Sequence, residues 1–187
     1  MSRPDGPILV IGIGNILLRD EGVGVRVVGE IETLAASGGS GLPAHTRLVD
    51  GGTLGLDLLP MIDDARALLL IDAVDLRLAP GSVGAIHGAA IHGVLAGQVS
   101  PHQVGIGDLI AASRLMGTLP DEVTLVGIQP GEIAIGLDLT DAVEAAVPDA
   151  VRRALDELRR LAEASPLAVS SATGGHDGGA VVSPARG

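Results

Sequence analysis

Short, unbroken apolar runs alternate along this chain with stretches of helical periodicity, and that alternation leaves few folds open. Ile8-Leu-Val-Ile-Gly-Ile13, residues 66–72 and residues 123–128 lack polar alternation, as expected of strands buried on both faces of a parallel sheet. Residues 46–50 read as a further strand, and residues 83–87, introduced by Pro80-Gly81, as a weaker one at an edge. Between them a helical stretch opens at Asp20-Glu21 and reaches about Ala36, repeating Val23, Val27, Ile31 and Leu34 on one side. Gly22, Gly24 and Gly29 are poor helix formers, so they are expected to serve close packing on the sheet. Shorter helices are expected over 54–62 and 104–116, with loop over 89–99. A final amphipathic helix over 140–164 carries Val143, Val147, Val151, Leu155, Leu158 and Leu161, and Pro148 is expected to kink or split it. The pattern predicts an α/β fold, three-layered, with a mostly parallel central sheet and helices on both faces.

The 187 residues suffice for one domain with a sizeable core, expected over 7–164. Residues 165–187, rich in Ser, Gly, Pro and Ala without periodicity, are expected to be a disordered tail. Net charge is −11 and no basic patch is visible, which argues against a nucleic-acid partner. Arg152, Arg153, Arg159 and Arg160 share a helix with Glu157, reading as a solvated face with pairs such as Asp149 with Arg153 and Asp156 with Arg160. No apolar run reaches the roughly 18 residues a span needs, and no signal-type segment precedes the first strand. A soluble cytoplasmic protein without a membrane partner is expected, working as a monomer. Cysteine is absent, excluding disulfides, thiolate metal sites and cysteine nucleophiles. Phe, Tyr and Trp are absent too, so the core is built from Leu, Ile, Val, Ala and Met.

Ligands of open α/β sheets gather outside the carboxyl ends of the strands. Asn15 through Glu21, then Asp50 with Thr53, then Asp72 with Asp75 follow successive strands, and His102 precedes a later helix. Carboxylates crowded with an imidazole at one edge repel each other unless a cation or basic ligand is bound. Each also has an ordinary use. Glu21 can face a helix dipole, Asp72 and Asp50 can take turn amides, His102 can open a helix, and Asn15 can accept an unusual backbone angle. The remaining histidines, His45, His87, His92 and His176, read as surface residues. A dinucleotide site is disfavoured, because Gly12-x-Gly14 lacks its third glycine, where Leu17 stands, and carboxylates at the helix start repel a pyrophosphate.

Gly12-Ile-Gly-Asn-Ile-Leu-Leu-Arg-Asp-Glu-Gly-Val-Gly-Val25 resembles the N-terminal signature of the hydrogenase maturation endopeptidases. Asp50-Gly-Gly-Thr53, Ile71-Asp-Ala73 and Ser100-Pro-His-Gln103 resemble their later motifs, in the family's order, and Val126-Gly-Ile-Gln-Pro130 is similar as well. The resemblance implies a nickel-dependent endopeptidase, aspartic-type or metal-dependent. Its metal ligands would be Glu21, Asp72 and His102, and its catalytic residues Asp50 together with Glu21 and Asp72, Asp50 being the one involved in cleavage competence. It further implies a partner, the nickel–iron hydrogenase large-subunit precursor, which carries the nickel and loses a short C-terminal extension. Two carboxylates and an imidazole suit nickel, with zinc or cadmium as stand-ins in vitro, and leave positions open for substrate. A checkpoint or chaperone that senses nickel without cutting is the alternative, and a binding domain for a small anionic ligand is a third reading.

Overall fold

The computed structural model describes residues 3, 5–39, 41–95 and 105–165. Its strands are β1 (Ile8–Ile13), β2 (Thr46–Gly52), β3 (Ala67–Ala73), β4 (Val83–His87) and β5 (Glu122–Ile128). Its helices are α1 (Val23–Ala36), α2 (Leu59–Asp63), α3 (Ala90–Leu95), α4 (Ile106–Met116) and α5 (Asp141–Ala164). Short 3-10 turns at Arg19–Gly22 and Gly55–Leu58 lead into α1 and α2. His102 and the tail beyond residue 165 lie outside the described residues.

The strands form one sheet in the order β2-β1-β3-β5-β4. All neighbours are parallel except β4, which pairs antiparallel with β5 at an edge. The three continuous apolar runs are the three inner strands, where both faces are covered and no solvent side calls for polar alternation. The edge strands β2 and β4 are only half-buried. One face carries α1 and α5, packed through Val27, Ile31, Val147 and Leu158. The other carries α2, α3 and α4, through Ile62, Ile91 and Leu109. The buried hydrophobic residues of both layers are all Ala, Val, Leu or Ile, and each buried Leu, Ile or Val contributes about 1.5–3 kcal/mol. No helix among the described residues is long and apolar enough to cross a membrane.

Several local expectations need correction. Pro148 neither ends nor divides α5, which runs unbroken from Asp141 to Ala164. Pro148 lies on the exposed side of that helix, where the carbonyl it leaves unbonded can be hydrated. Residues 90–95, expected as loop, form α3, held by burial of Ile91. Leu34 is exposed at 38 %, and Val28 takes its place in the core. On α5 the two acids expected to pair at a spacing of four pair at a spacing of three instead, Asp149 with Arg152 and Asp156 with Arg159. Nor is that whole face solvated. Glu157 is buried and held by Arg153, Arg160 and His87, the last at 2.9 Å. His87 is therefore a half-exposed lid on a buried carboxylate rather than a free surface residue.

Gly22, Gly24 and Gly29, before and within α1, have different reasons. A Cβ on Gly24 would stand 2.2 Å from the Ile71 carbonyl oxygen and 2.3 Å from that of Ile13, so only glycine lets the helix rest on β1 and β3. A Cβ on Gly22 would press at 2.8 Å on the backbone of Ile16, in the preceding loop rather than the sheet. Gly29 meets nothing within 4 Å, so close packing does not explain it.

Candidate functional site

From β1 the chain steps outward to β2 and then returns to β3 on the other side of β1. The carboxyl ends of β1 and β3 therefore bound the crevice where ligands of open α/β sheets settle. Gly24 brings the first turn of α1 directly over that crevice, and the 3-10 turn before it carries Glu21. Gly14 makes the tight exit from β1 possible: its φ is 131°, and a side chain there would collide with the Glu21 carbonyl. The unusual angle thus belongs to Gly14 and not to Asn15, whose side chain instead accepts a hydrogen bond from the Leu17 amide at 3.0 Å.

Two carboxylates meet in the crevice. Asp72 lies near the end of β3, and its Oδ1 accepts a hydrogen bond from the Ala73 amide at 2.8 Å. Burial pushes the Asp72 carboxyl well above its ordinary value; that bond opposes the rise, and the nearby Glu21 charge adds to it. Burial also raises Glu21, whose Oε2 is buried with no hydrogen-bond partner among the described residues. Burying an ionised oxygen without a partner is costly. Two such acids together have the chemistry of half a cation site, hard oxygen donors waiting for positive charge. The described residues alone hold no group of three potential metal ligands.

The other expected residues are spread more widely. Asp50 is exposed near the end of β2, in register with Gly12 of β1, which pairs in turn with Ile71. Two strand spacings, about 10 Å, separate its backbone from that of β3, too far for a ligand set shared at the backbone level but suited to one extended substrate. Asp75 is engaged in its own turn, its Oδ1 accepting from the Arg77 amide at 3.0 Å. Thr53 is exposed beyond β2.

Two residues that shape this edge stood in the motifs without being singled out. Asp20 is fully buried and accepts hydrogen bonds from the amides of Gly131, Glu132 and Thr140 and from the Thr140 hydroxyl, all at 2.7–2.9 Å. Burial alone would raise its carboxyl, but those donors outweigh it and hold Asp20 below the usual carboxylate value. Gln129 accepts from the amides of Leu76 and Leu78 through Oε1, fixing the loop after β3. An acid directly beside Glu21, at a helix-opening turn, was the available signal for Asp20. Its partners lie more than 100 positions away and are invisible locally.

The profile of the hydrogenase maturation protease family matches residues 25–157. The HupD hydrogenase expression/formation protein of Rhodobacter capsulatus is 42 % identical over 154 residues, 81 % of this chain and 71 % of that protein. The hydrogenase 2 maturation protease of Escherichia coli is 37 % identical, over 81 % of this chain and 90 % of its own. The chain belongs to the hydrogenase maturation protease family. Its architecture agrees: the solved structure of the hydrogenase maturating endopeptidase HybD from E. coli superposes with a TM-score of 0.72 at 36 % identity, covering 82 % of this chain and 93 % of that one. The expected α/β fold with its mostly parallel sheet is the fold of this protease family.

The paired acids make a stability prediction for this family member. A carboxyl raised in the folded state binds its proton more tightly there. Its stabilising contribution is thus full at low pH and lost as pH rises through the folded value. At neutral pH, Asp72→Asn keeps the acceptor for Ala73 and removes the cost of holding an ionisable carboxyl in this buried place beside Glu21. It should raise the melting temperature by about 2–4 °C for each kcal/mol relieved. Thermal unfolding followed by circular dichroism is the measurement, and a variant melting below the parent would contradict the prediction.

Proposed function

We propose that this protease is a nickel-dependent endopeptidase that removes the C-terminal extension of a nickel–iron hydrogenase large-subunit precursor after nickel insertion, acting in the cytoplasm as a monomer. The observation that carries the reading is the Glu21–Asp72 pair at the switch point of the sheet, with a buried carboxylate oxygen that has no hydrogen-bond partner among the described residues. Such a pair is disfavoured in the free protein and favoured when a substrate brings a divalent ion. It therefore senses whether nickel has been inserted. Zinc or cadmium would bind the same oxygens in vitro. His102, just before α4, is the third ligand in this reading.

With the metal end of the substrate at Glu21 and Asp72, Asp50 lies where the adjoining peptide passes. It acts there either as the base for the attacking water or as the anchor for a basic residue beside the cut. Metal charge at the scissile carbonyl would assist the attack. Asp50→Asn should leave nickel-dependent complex formation intact while slowing processing by about a hundredfold, the usual scale for a general base. Cleavage by this variant at the parent's rate would remove Asp50 from the reaction.

The test of the function mixes the protein with nickel-loaded and nickel-free precursor and follows the precursor's mass. Loss of a C-terminal peptide from the loaded sample alone is expected. Binding without any loss of mass would overturn the peptidase step and indicate a nickel-sensing checkpoint.

A further inference from the structure

Beside the carboxylate pair, the loop of residues 15–18 and the segment of residues 131–139 are joined to each other. Leu18 bridges to Gly136, the Gly136 amide donates to the Leu17 carbonyl, and the Arg19 amide donates to the Gly136 carbonyl. This ledge is firmly placed, since Asp20 ties Gly131 and Thr140 to the turn carrying Glu21. Yet it exposes large aliphatic side chains: Ile16 at 56 %, Leu17 at 57 %, Ile135 at 93 % and Leu137 at 75 %. A rigid exposed apolar patch of this kind marks a binding surface.

The ledge forms one wall of a groove of about 760 Å³, which starts at Ile16 and Gly22, one residue from Glu21, and follows α1 to Thr33. Eleven residues of helix are about 16 Å, the length of roughly five residues of extended chain. Its floor is open, because nothing stands within 4 Å of a Cβ placed on Gly29. Its charges are unbalanced. Arg19 is paired with Glu132, and Arg26 with Glu30 and Glu144. Asp138 and Asp141 also line the groove, and no cation among the described residues pairs with either carboxylate. An apolar wall with surplus negative charge fits a peptide that is both apolar and basic.

Resting on the peptidase reading, we infer that this groove receives the extended segment of the precursor's C-terminal extension, apolar side chains against Ile16 and Leu137 and a basic residue facing Asp138 and Asp141. The extension has to leave the cleavage point in some direction, and this groove opens within one residue of Glu21 and has the dimensions of a short peptide.

Binding of the extension can be measured apart from cleavage. Because the chain has no tryptophan, a synthetic extension peptide tagged with one reports its own binding by fluorescence anisotropy. Ile16→Ser with Leu137→Ser should weaken binding by about tenfold or more. Asp138→Asn with Asp141→Asn should weaken a peptide carrying Arg but not one carrying Gln at that position, and added salt should act as these charge changes do. Circular dichroism confirms that each variant is folded. Equal affinity for parent and both variants, or no binding to the parent, would overturn the groove assignment. Precursor cleavage by the parent is scored separately, so failure of the groove and failure of the peptidase reading give different results.

Discussion

Asp20→Ala is expected to lower stability by about 3 kcal/mol or more, because each backbone amide left without its acceptor costs about 1–3 kcal/mol. Three amides and a hydroxyl converge on this one buried carboxylate. Thr140 opens α5, so Asp20 also faces the positive end of the helix that, with α1, covers one sheet face. Asp20→Asn keeps the shape and one acceptor oxygen but turns an amide toward donors, so an intermediate loss is expected. The pH dependence has a definite sign. The folded-state carboxyl is lowered. Its contribution is thus present at neutral pH and is lost as pH falls from the ordinary carboxylate range through the lower folded value. Melting and urea titration followed by circular dichroism are the measurements, since the chain lacks aromatic fluorophores. An alanine variant as stable as the parent would show that the latch from residue 20 to residues 131–140 is not an anchor.

Gly24→Ala should be comparably severe. The new methyl would sit 2.2–2.3 Å from two carbonyl oxygens of the sheet, and backbone on both sides must move to admit it. Overpacking of this kind costs about 1–3 kcal/mol or more. The shift would also lift the turn holding Glu21 away from Asp72, so the metal recognition proposed for that pair should fall with stability. Gly29→Ala is the matched control, in the same helix but facing open space. There the change should stabilise by about 0.5–1 kcal/mol through helix propensity. Equal effects at the two positions would contradict the close approach of α1 to the sheet.

Much of this architecture was readable locally. β1, β3 and β5 are covered on both faces, so their sequences are continuous apolar runs, and the edge position of β4 followed from its weaker pattern. Residues 90–95 escaped because a six-residue helix with one buried side chain has too few turns to show a period. A split at Pro148 does not occur, because the effect of a proline depends on which side of α5 it faces, a matter of tertiary placement. At the site, Glu21 and Asp72 stood out as acids following strands. Their mutual influence, and the Glu21 oxygen without a partner among the described residues, depend on a crossover that no local pattern encodes. Asp20 and Gln129 were hidden for the same reason. They look like ordinary polar residues, and their importance lies in backbone amides far along the chain.

The central claim is that Glu21 and Asp72 recognise a metal carried by the precursor. Its most direct test is the ratio of affinities for nickel-loaded and nickel-free precursor, measured for the parent and for the Glu21→Gln, Asp72→Asn double variant. The parent should prefer the loaded form by at least about tenfold, the scale of a 1.4 kcal/mol discrimination, and the double variant should bind both forms alike. A double variant that is folded and keeps the parent's preference would contradict the claim.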